Sequence, residues 1–356
     1  MNMKLLSGML LLLVLLGMLT ACGSTPPAET NAPGPAPEEK QERPESQAPE
    51  APAKQVTWKM ASNVIEGSDW AAAFEEMWAR IEEETKGEVH VEMFYNGALG
   101  SEADVLQNLQ TNNIQAAQIS FSLLAQFEPE WNVMDMPFLF TSQEQLDKFN
   151  ATEEAQELYA RFQNYGIWFN YVGLLGFRYP DMVKAPIVTP DDLKGTTFRV
   201  MDNAIQMATL EAFGATPITV PVGDVYNALK MGVCDGWCGD AVAIQVRTAY
   251  EPAPYVSSVP LFPVTLGCLL STEALDALTP ESRETVIRIY SEMMPGVMSR
   301  AWDENLQIIK DLANEGKCEF VEVEDISAFQ EKVTPVLDQA RVDYGCGGWI
   351  DLISSL

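Results

Sequence analysis

Two arginines in the middle of the chain have the chemistry to bind a carboxylate. Arg199 ends the short strand of DLKGTTFRV, and Arg178 lies in GFRYP. The arginine side chain keeps its positive charge, and its planar fork pairs with a carboxylate through two parallel hydrogen bonds. Two structural alternatives stay open. Arg199 could form a salt bridge within the fold, and Arg178 could hold backbone segments together.

Two acids and a tryptophan accompany these arginines. Asp202 follows Arg199 by three residues and could accept a hydrogen bond from a ligand amine or hydroxyl, pair with Arg199, or cap the helix expected from Ala204. Asp240, in the segment DGWCGD, could tune the choice of ligand. Trp237, in the same segment, could flank a ligand or belong to the core.

The sequence contains no recognisable set of catalytic residues. Its one histidine, His90, falls in the alternating segment EVHVEMF, which predicts a surface position on a strand. With a single histidine, neither a serine triad nor a cysteine with a histidine base can be assembled. The glycine-rich phosphate-binding motifs are also missing. We therefore predict a binding protein without a cofactor, and not an enzyme.

The cysteines favour neither a metal site nor a definite set of disulfides. The pair Cys234 and Cys238 has no second pair of thiolate ligands, so we predict no metal. Five cysteines follow Cys22, and an odd number in an exported protein leaves at least one unpaired. If the stretch between Cys234 and Cys238 is extended, these two are too far apart for a disulfide.

The N-terminal segment predicts export. Residues 1–21 carry one positive charge, Lys4, followed by an apolar run, which is the layout of a signal peptide. The sequence Leu19-Thr20-Ala21-Cys22 resembles a lipobox, so we predict lipidation at Cys22. A plain signal peptide or an uncleaved membrane anchor is the alternative. Residues 22–54 are rich in Pro and Glu and predict a disordered tether.

The charge excludes nucleic acid as a partner. The formal net charge is −29 and the isoelectric point is about 4.2. Phosphate binding requires patches of lysine and arginine, which so acidic a chain does not offer. Once residues 1–54 are set aside, enough chain remains for two α/β lobes with separate cores.

Hydrophobic periodicity predicts alternating strands and helices. From Asp191 to Asp240, three short strands alternate with two helices, an order typical of a parallel sheet with its ligand at the strand ends. A long helix begins at Thr279, and Pro295 is expected to kink or break it. We expect further helices over 70–85, 101–111 and 142–164, and further strands over 56–62, 88–94, 114–120, 167–176 and 264–271.

The segment from Asp191 to Asp240 resembles the solute-binding proteins of TRAP (tripartite ATP-independent periplasmic) transporters. The likeness rests on four elements that occur in order: DLKGTTFRV, GATP, DVYNAL and VCDG. Shorter family landmarks extend it over nearly the whole chain after the N-terminal segment: Lys86-Gly87, Ala98-Leu99-Gly100-Ser101-Glu102 and Met136-Pro137-Phe138-Leu139-Phe140.

The resemblance implies an α/β protein with the two-lobed periplasmic-binding-protein fold, in which a long helix bridges both lobes. It places residues 55–176 and 264–303 in lobe I, and residues 177–263 and 304–356 in lobe II with the C-terminal helices. A small organic-acid ligand would be captured between the lobes, outside the cytoplasm, and delivered to TRAP membrane subunits. A ligand-sensing protein for a membrane receptor is the first alternative, and a carboxylate-acting hydrolase is a more distant one.

The resemblance also implies roles for individual residues. Arg199 becomes the arginine that binds the substrate carboxylate, and Arg178 a second contact. Gly239 replaces a side chain that usually bonds substrate, and Cys238 replaces a glutamate that helps some relatives to hold a cation. By position alone, the residues of lobe I that would close over the ligand are Ser62, Asn63, Glu66, Ser120 and Phe121, of which Phe121 could stack on an aromatic or apolar ligand.

Overall fold

The structure is a computed structural model, and it describes residues 55–356, apart from the side chain of Leu306. The predicted signal peptide (1–21), the lipidation site Cys22 and the tether (22–54) lie outside the described residues. None of the helices within 55–356 combines the length and the apolar character that spanning a membrane requires.

The strands of the described chain form one connected hydrogen-bonded system. They are β1 (Val56–Ala61), β2 (Val89–Phe94), β3 (Ala116–Ser120), β4 (Ile167–Trp168), β5 (Gly173–Met182), β6 (Thr197–Val200), β7 (Thr216–Thr219), β8 (Gly236–Gly239), β9 (Tyr255–Ser257), β10 (Phe262–Ser271) and β11 (Glu319–Val321). Their order is β2-β1-β3-β10-β5-β8-β6-β7, with β4 beside β10 and β9 between β5 and β11. The β1–β2 and β6–β8 pairings are parallel, and β5 and β10 run antiparallel to each other.

Helices cover both faces of these strands. They are α1 (Asp69–Glu84), α2 (Glu102–Gln110), α3 (Gln143–Asn150), α4 (Glu153–Arg161), α5 (Ala204–Ala212), α6 (Val225–Lys230), α7 (Ala241–Val246), α8 (Thr272–Asp276), α9 (Pro280–Asn314), α10 (Ser327–Asp343) and α11 (Gly347–Ser354). Shorter 3₁₀ turns span Phe121–Gln126, Pro129–Asp135, Phe162–Tyr165, Pro190–Leu193 and Val222–Asp224. Hydroxyl caps at Ser68 and Ser101 fix the starts of α1 and α2 by accepting a hydrogen bond from a free backbone N–H.

The strand β5 belongs to two sheets. Its first part pairs with β10 up to Arg178, and its second part pairs with β8 from Tyr179 onward. The sequence predicts a crossing between lobes at 177–180, the stretch in which β5 changes its partner. Gly176 has a φ of +154°, and a Cβ there would lie 2.2 Å from Nδ2 of Asn305, so a glycine is required where α9 approaches the strand.

The helix α9 is continuous over 35 residues, so Pro295 does not end it. At 1.5 Å per residue it is about 52 Å long. Pro295 removes one backbone hydrogen bond, but the neighbouring side chains of Met294, Val297 and Met298 are buried and hold the helix in place. It packs on α1 beside the first sheet and on α7 beside the second. It is the bridging helix of the expected fold.

Two predicted elements are divided by local hydrogen bonds. The helix expected over 142–164 is two helices, because Thr152 caps a new start by accepting a hydrogen bond from the N–H of Ala155. The strand expected over 167–176 is interrupted between β4 and β5. There, the side chain of Asn150 accepts a hydrogen bond from the N–H of Val172 and donates one to its carbonyl oxygen. These two bonds replace the ones that a neighbouring strand would make.

The cysteines of the described chain are free thiols. Cys234, Cys238, Cys268, Cys318 and Cys346 are all buried and unpaired. Burial raises the pKa of Cys234, Cys318 and Cys346 to about 11, so these thiols are protonated at neutral pH. They therefore act as small apolar core residues.

Candidate ligand site between the two sheets

Arg199 is a buried cation that has no carboxylate partner within residues 55–356. It lies on β6, is 4% exposed, and its Nε donates a hydrogen bond of 2.9 Å to the carbonyl oxygen of Val220. Burial, and after it the positive charge of Arg178, lowers the pKa of Arg199 to about 10, so it stays charged at neutral pH. Within residues 55–356 no carboxylate forms a salt bridge with it, so this part of the chain does not support the purely structural alternative.

Arg178 faces an acid but keeps a free donor. It is 7% exposed, and its Nη1 lies 3.7 Å from Oδ2 of Asp240. Its Nε is buried and makes no hydrogen bond with the described chain. The other oxygen of Asp240 accepts a hydrogen bond of 3.0 Å from the N–H of Ala243 and caps α7. Asp240 therefore positions a helix and faces Arg178 at the same time.

The first sheet contributes polar side chains to a small recess. Nδ2 of Asn63 donates a 2.9 Å hydrogen bond to Oε1 of Glu102, and the backbone N–H of Asn63 donates one of 3.0 Å to Oε1 of Gln118. These residues and Ser62 line a cavity of about 10 Å³, which has room for one water molecule. Close by on β3, Oγ of Ser120 is buried and has no partner in the part of the chain described.

Glu102 is a candidate site residue to which the sequence reasoning gave no role in binding. Desolvation raises its pKa, and the positive charge of Arg178 opposes that rise, so the two side chains lie within each other's field. Glu102 directly follows the helix cap Ser101, where an acid also stabilises the first turn of a helix. Because the sequence already explains Glu102 as an acid of the first helical turn, it does not show that the side chain lies in the recess.

Asp135 is a second missed residue, and it connects the two halves of the site. Its side chain is fully buried, and Oδ1 accepts hydrogen bonds from Ser122 Oγ at 2.6 Å and from Gln206 Nε2 at 3.2 Å. Oδ2 accepts one of 3.2 Å from Nδ2 of Asn203. Burial raises the pKa of Asp135, while these bonds and the charge of Arg178 oppose the rise. A lone acid within the apolar stretch NVMDMPFLF is the signal that could have identified it.

Three side chains form a row across neighbouring strands. Asp181 on β5 is the register partner of Trp237 on β8, and Trp237 is that of Arg199 on β6, so all three share one face. The guanidinium of Arg199 lies 6.0 Å from the centre of the Trp237 ring. Beside them, a Cβ on Gly239 would lie 2.4 Å from Cζ2 of Trp237 and 2.9 Å from Oδ2 of Asp181. If position 239 carried a side chain, the Trp237 ring and the Asp181 carboxyl group would therefore have to move.

Asp202 does not cap α5. The cap is Asn203, whose side chain accepts a 3.0 Å hydrogen bond from the N–H of Gln206. The capping interpretation of Asp202 is therefore wrong, because the capping residue directly precedes Ala204. Asp202 itself is exposed and forms no salt bridge with Arg199.

Phe121 is buried in the core and Glu66 is exposed in a turn. The ring of Phe121 is fully buried, with centroids 5.0 Å from Phe169 and 5.8 Å from Trp131, so it packs in the core of the first sheet and has no free face for a ligand. Glu66 is exposed in the turn before α1. We leave both residues out of the site.

The arrangement can bind an anion by charge and by unpaired hydrogen-bonding groups. Within residues 55–356, no three His, Cys, Asp or Glu side chains come together as metal ligands would. The two arginines, with the spare Nε of Arg178, and the Oγ of Ser120, which has no partner among the described residues, instead offer hydrogen-bond donors. Such a set recognises a carboxylate and carries no nucleophile with a base.

A family model described as bacterial extracellular solute-binding protein, family 7, matches residues 60–343, which include both arginines and the segment DGWCGD. The chain belongs to this family. The resemblance to TRAP solute-binding proteins is therefore confirmed, and with it the location of the family outside the cytoplasm.

Individual relatives agree in sequence and fold. The C4-dicarboxylate-binding periplasmic protein DctP of Rhodobacter capsulatus is 27% identical over 280 residues, covering 76% of this chain and 80% of that protein. A TRAP periplasmic solute binding protein from a Sulfitobacter species, solved with bound β-D-galacturonate, is 25% identical with a TM-score of 0.78, covering 85% of this chain and 100% of that one. A Polaromonas protein bound to D-erythronate has the same TM-score at 22% identity, covering 85% and 99%. The two-lobed α/β fold is thereby confirmed.

Proposed function

We propose that this solute-binding protein captures a small organic acid through Arg199 and delivers it to a TRAP membrane transporter. The observation that carries the proposal is a charged guanidinium, 4% exposed, that no carboxylate of residues 55–356 neutralises. A buried charge without a counter-charge is costly. A ligand carboxylate would remove that cost with two parallel hydrogen bonds from the two Nη groups, since the Nε of Arg199 is already bonded to the carbonyl oxygen of Val220.

We infer that the ligand lies between two lobes, 55–176 with 264–303 and 177–263 with 304–356. The crossing of β5 at Arg178 supports the first boundary. Arg178, Arg199, Trp237 and Asp240 would then contact the ligand from lobe II, and Asn63, Glu102 and Ser120 from lobe I. A ligand that touches both lobes stabilises their closed form in proportion to its differential affinity.

The relatives support a carboxylate as the shared chemical group. Galacturonate, erythronate and C4-dicarboxylates, named for three relatives, all carry one. They differ in their hydroxyl groups and in the number of carboxylates. The carboxylate class is therefore proposed for this chain, and the choice within it is a separate question.

A ligand screen on the purified full chain tests the proposal. Thermal denaturation would be followed with D-galacturonate, D-erythronate, succinate and, as neutral controls, galactose and erythritol. A ligand at 100 times its Kd adds about 2.7 kcal/mol to the free energy of unfolding, a readable shift in melting temperature. Stabilisation by the neutral compounds, with none by any carboxylate, would contradict the proposal.

We propose further that the ligand is released unchanged. His90, the one histidine of the chain, pairs with Glu82 at 3.0 Å on the edge strand β2, whereas Arg199 lies on β6 near the other edge of the strand order. Incubating the protein with a bound acid and recording its NMR spectrum should show the acid alone. A new product in the spectrum would instead favour the alternative that the protein is a carboxylate-acting hydrolase.

We propose that Cys22 carries the membrane anchor. The support is the sequence Leu19-Thr20-Ala21-Cys22 at the end of the apolar run, followed by the Pro- and Glu-rich segment. Cys22→Ala should prevent lipidation and shift the protein out of the membrane fraction. Mass spectrometry of the mature N-terminus decides the matter, because a mature chain that begins elsewhere than a lipid-modified Cys22 refutes the anchor.

A further inference from the structure

A second set of polar groups lies beside the arginines and is left unpaired. Both carboxyl oxygens of Asp181 and the Nε1 of Trp237 are buried, and none of them forms a hydrogen bond of good geometry with the residues described, although the indole of Trp237 lies close enough to Asp181 to oppose the rise of its pKa. Asp181 is 0% exposed and Trp237 is 1% exposed. Leaving such a buried group unpaired costs about 1–3 kcal/mol. Native proteins rarely keep unpaired groups without a further role or an additional partner.

These atoms lie beside the candidate site, and the ring of Trp237 also belongs to a hydrophobic core cluster. Asp181 and Trp237 are register partners across β5 and β8, and Trp237 is in turn the partner of Arg199. Asp181 also feels the charge of Asp240, the acid that faces Arg178. The absence of a side chain at Gly239 is what leaves room for the Trp237 ring and for Oδ2 of Asp181 at this position.

The surroundings of Asp181 favour the neutral form of its carboxyl group. Burial raises its pKa well above the usual range, and the neighbouring charge of Asp240 raises it further. A neutral carboxyl group offers one O–H donor and acceptor oxygens, and an indole offers one N–H donor. The two side chains approach each other without a well-formed hydrogen bond, so a group that accepts from the indole and donates to the carboxyl group would bridge them.

We propose that Asp181 and Trp237 form a hydroxyl-binding subsite next to the carboxylate site, so that the protein prefers hydroxylated acids to plain ones. This inference rests on the proposed function. A hydroxyl group accepts the hydrogen bond of the indole N–H and donates one to Asp181, whereas a methylene group leaves both unpaired. Because the ring of Trp237 fills the space beside Gly239, it has to tilt for the hydroxyl to reach Asp181.

Matched ligands and variants test the subsite. Calorimetry on the full chain would compare D-erythronate with butyrate, two four-carbon acids that differ in their hydroxyl groups. The measured quantity is the ratio of their affinities. Asp181→Leu keeps the shape of the side chain without its hydrogen bonds, and Trp237→Phe keeps a ring without the N–H. Each should reduce the preference for erythronate by roughly 3- to 10-fold, the loss of one neutral hydrogen bond.

Two further variants separate binding from packing. Asp181→Asn retains a donor and an acceptor and should restore most of the preference that Asp181→Leu loses. Trp70→Phe is the matched control, because Trp70 lies on α1 and its Nε1 is also buried without a partner in the described chain. It should leave the affinity ratio unchanged.

The failure of this inference differs from the failure of the proposed function. An affinity ratio that is the same in the wild type, Asp181→Leu and Trp237→Phe overturns the subsite, even though both acids still bind. A wild type that does not distinguish erythronate from butyrate overturns it as well. If Asp181→Leu does not fold, Trp237→Phe still decides. A wild type that binds neither acid, nor succinate or galacturonate, overturns the proposed function itself.

Discussion

Two buried carboxyl groups of this protein have opposite surroundings. Glu88, just before β2, accepts hydrogen bonds from Thr279 N at 2.8 Å, Thr279 Oγ1 at 2.7 Å and Ser282 Oγ at 2.5 Å. Burial raises the pKa of Glu88, but these bonds outweigh it and the net shift is downward. Asp181 has only the weak approach of the Trp237 indole among the described residues, and burial raises its pKa well above the usual range.

The comparison separates a carboxyl group whose hydrogen bonds stabilise the fold from one whose hydrogen bonding is incomplete. The bonds of Glu88 tie β2 to the first turn of α9, so its partners are all supplied by the protein. Asp181 and Arg199 stand in a row whose polar atoms are only partly paired within residues 55–356. Substitutions near Glu88 should therefore change stability, and substitutions in the row should change ligand binding.

The largest effect is expected for Arg199→Ala. It should abolish the stabilisation of about 2.7 kcal/mol that a carboxylate at 100 times its wild-type Kd provides, because the charge and both ligand bonds are lost. Arg199→Lys should also fail substantially, since lysine lacks the planar fork. Thermal shifts with D-galacturonate measure both. Arg300→Ala, which removes an exposed pair with Glu76 at 2.8 Å, is the control. Unchanged affinity in both Arg199 variants would remove this residue from the site.

A smaller effect, of a different kind, is expected for Glu88→Gln. It should lower the free energy of unfolding by about 2 kcal/mol at pH 7, because hydrogen bonds to a charged group contribute about 1.5–3 kcal/mol. The pKa of Glu88 is lowered from 4.5 in the folded state, so its stabilisation is present above pH 4.5 and is lost as the pH falls through the folded pKa. In urea titrations at decreasing pH, the free energies of unfolding of Glu88→Gln and the wild type should converge. The ligand affinity of the variant should be unchanged. If the difference in the free energy of unfolding is the same at every pH, the charged form of Glu88 is not what stabilises the fold.

Asp181→Leu should stabilise the protein, whereas Glu88→Gln should destabilise it. It should raise the free energy of unfolding by about 1–3 kcal/mol at neutral pH, since it removes a buried group without a partner. The folded pKa of Asp181 is raised, so the wild type loses stability as the pH rises from the ordinary value of 3.8 toward the folded value. The advantage of the variant should therefore grow with pH over that range. A variant less stable than wild type at pH 7 would show that Asp181 is bonded in solution.

The smallest expected difference is between neighbours at the start of α5. Asn203→Ala should cost about 1 kcal/mol through the lost cap, whereas Asp202→Ala, on an exposed side chain, should stay within about 0.5 kcal/mol. Denaturant titrations of both variants compare them directly. Equal losses would return the capping role to Asp202.

Local sequence signals were sufficient for the order of elements. The apolar spacing over 70–85 and the stop at Lys86-Gly87 correspond to α1, and the motifs from Asp191 to Asp240 correspond to β6, α5, β7, α6 and β8. The divided helix over 142–164 was missed because its apolar spacing continues across Thr152. The capping bond of that residue depends on a local backbone turn that the pattern does not show.

The site was only partly predictable. Arg178, Arg199, Trp237 and Asp240 come together, and each belongs to a motif. Asp135, Glu102 and Asp181 were missed because their importance arises from register and burial, and not from local pattern. Asp181 meets Trp237 only through the pairing of β5 with β8, over a long separation in the chain. Phe121 was included by position alone, and its ring turned out to pack against Phe169 and Trp131.

The strand β5 has a consequence for how the chain folds. Its residues up to Arg178 complete one sheet and those from Tyr179 complete the other, while β10 runs beside it as a second long strand. Neither sheet can form all its hydrogen bonds until β5 is in place in both. The two lobes should therefore melt together in a single cooperative transition, with equal calorimetric and van't Hoff enthalpies, instead of unfolding as independent domains.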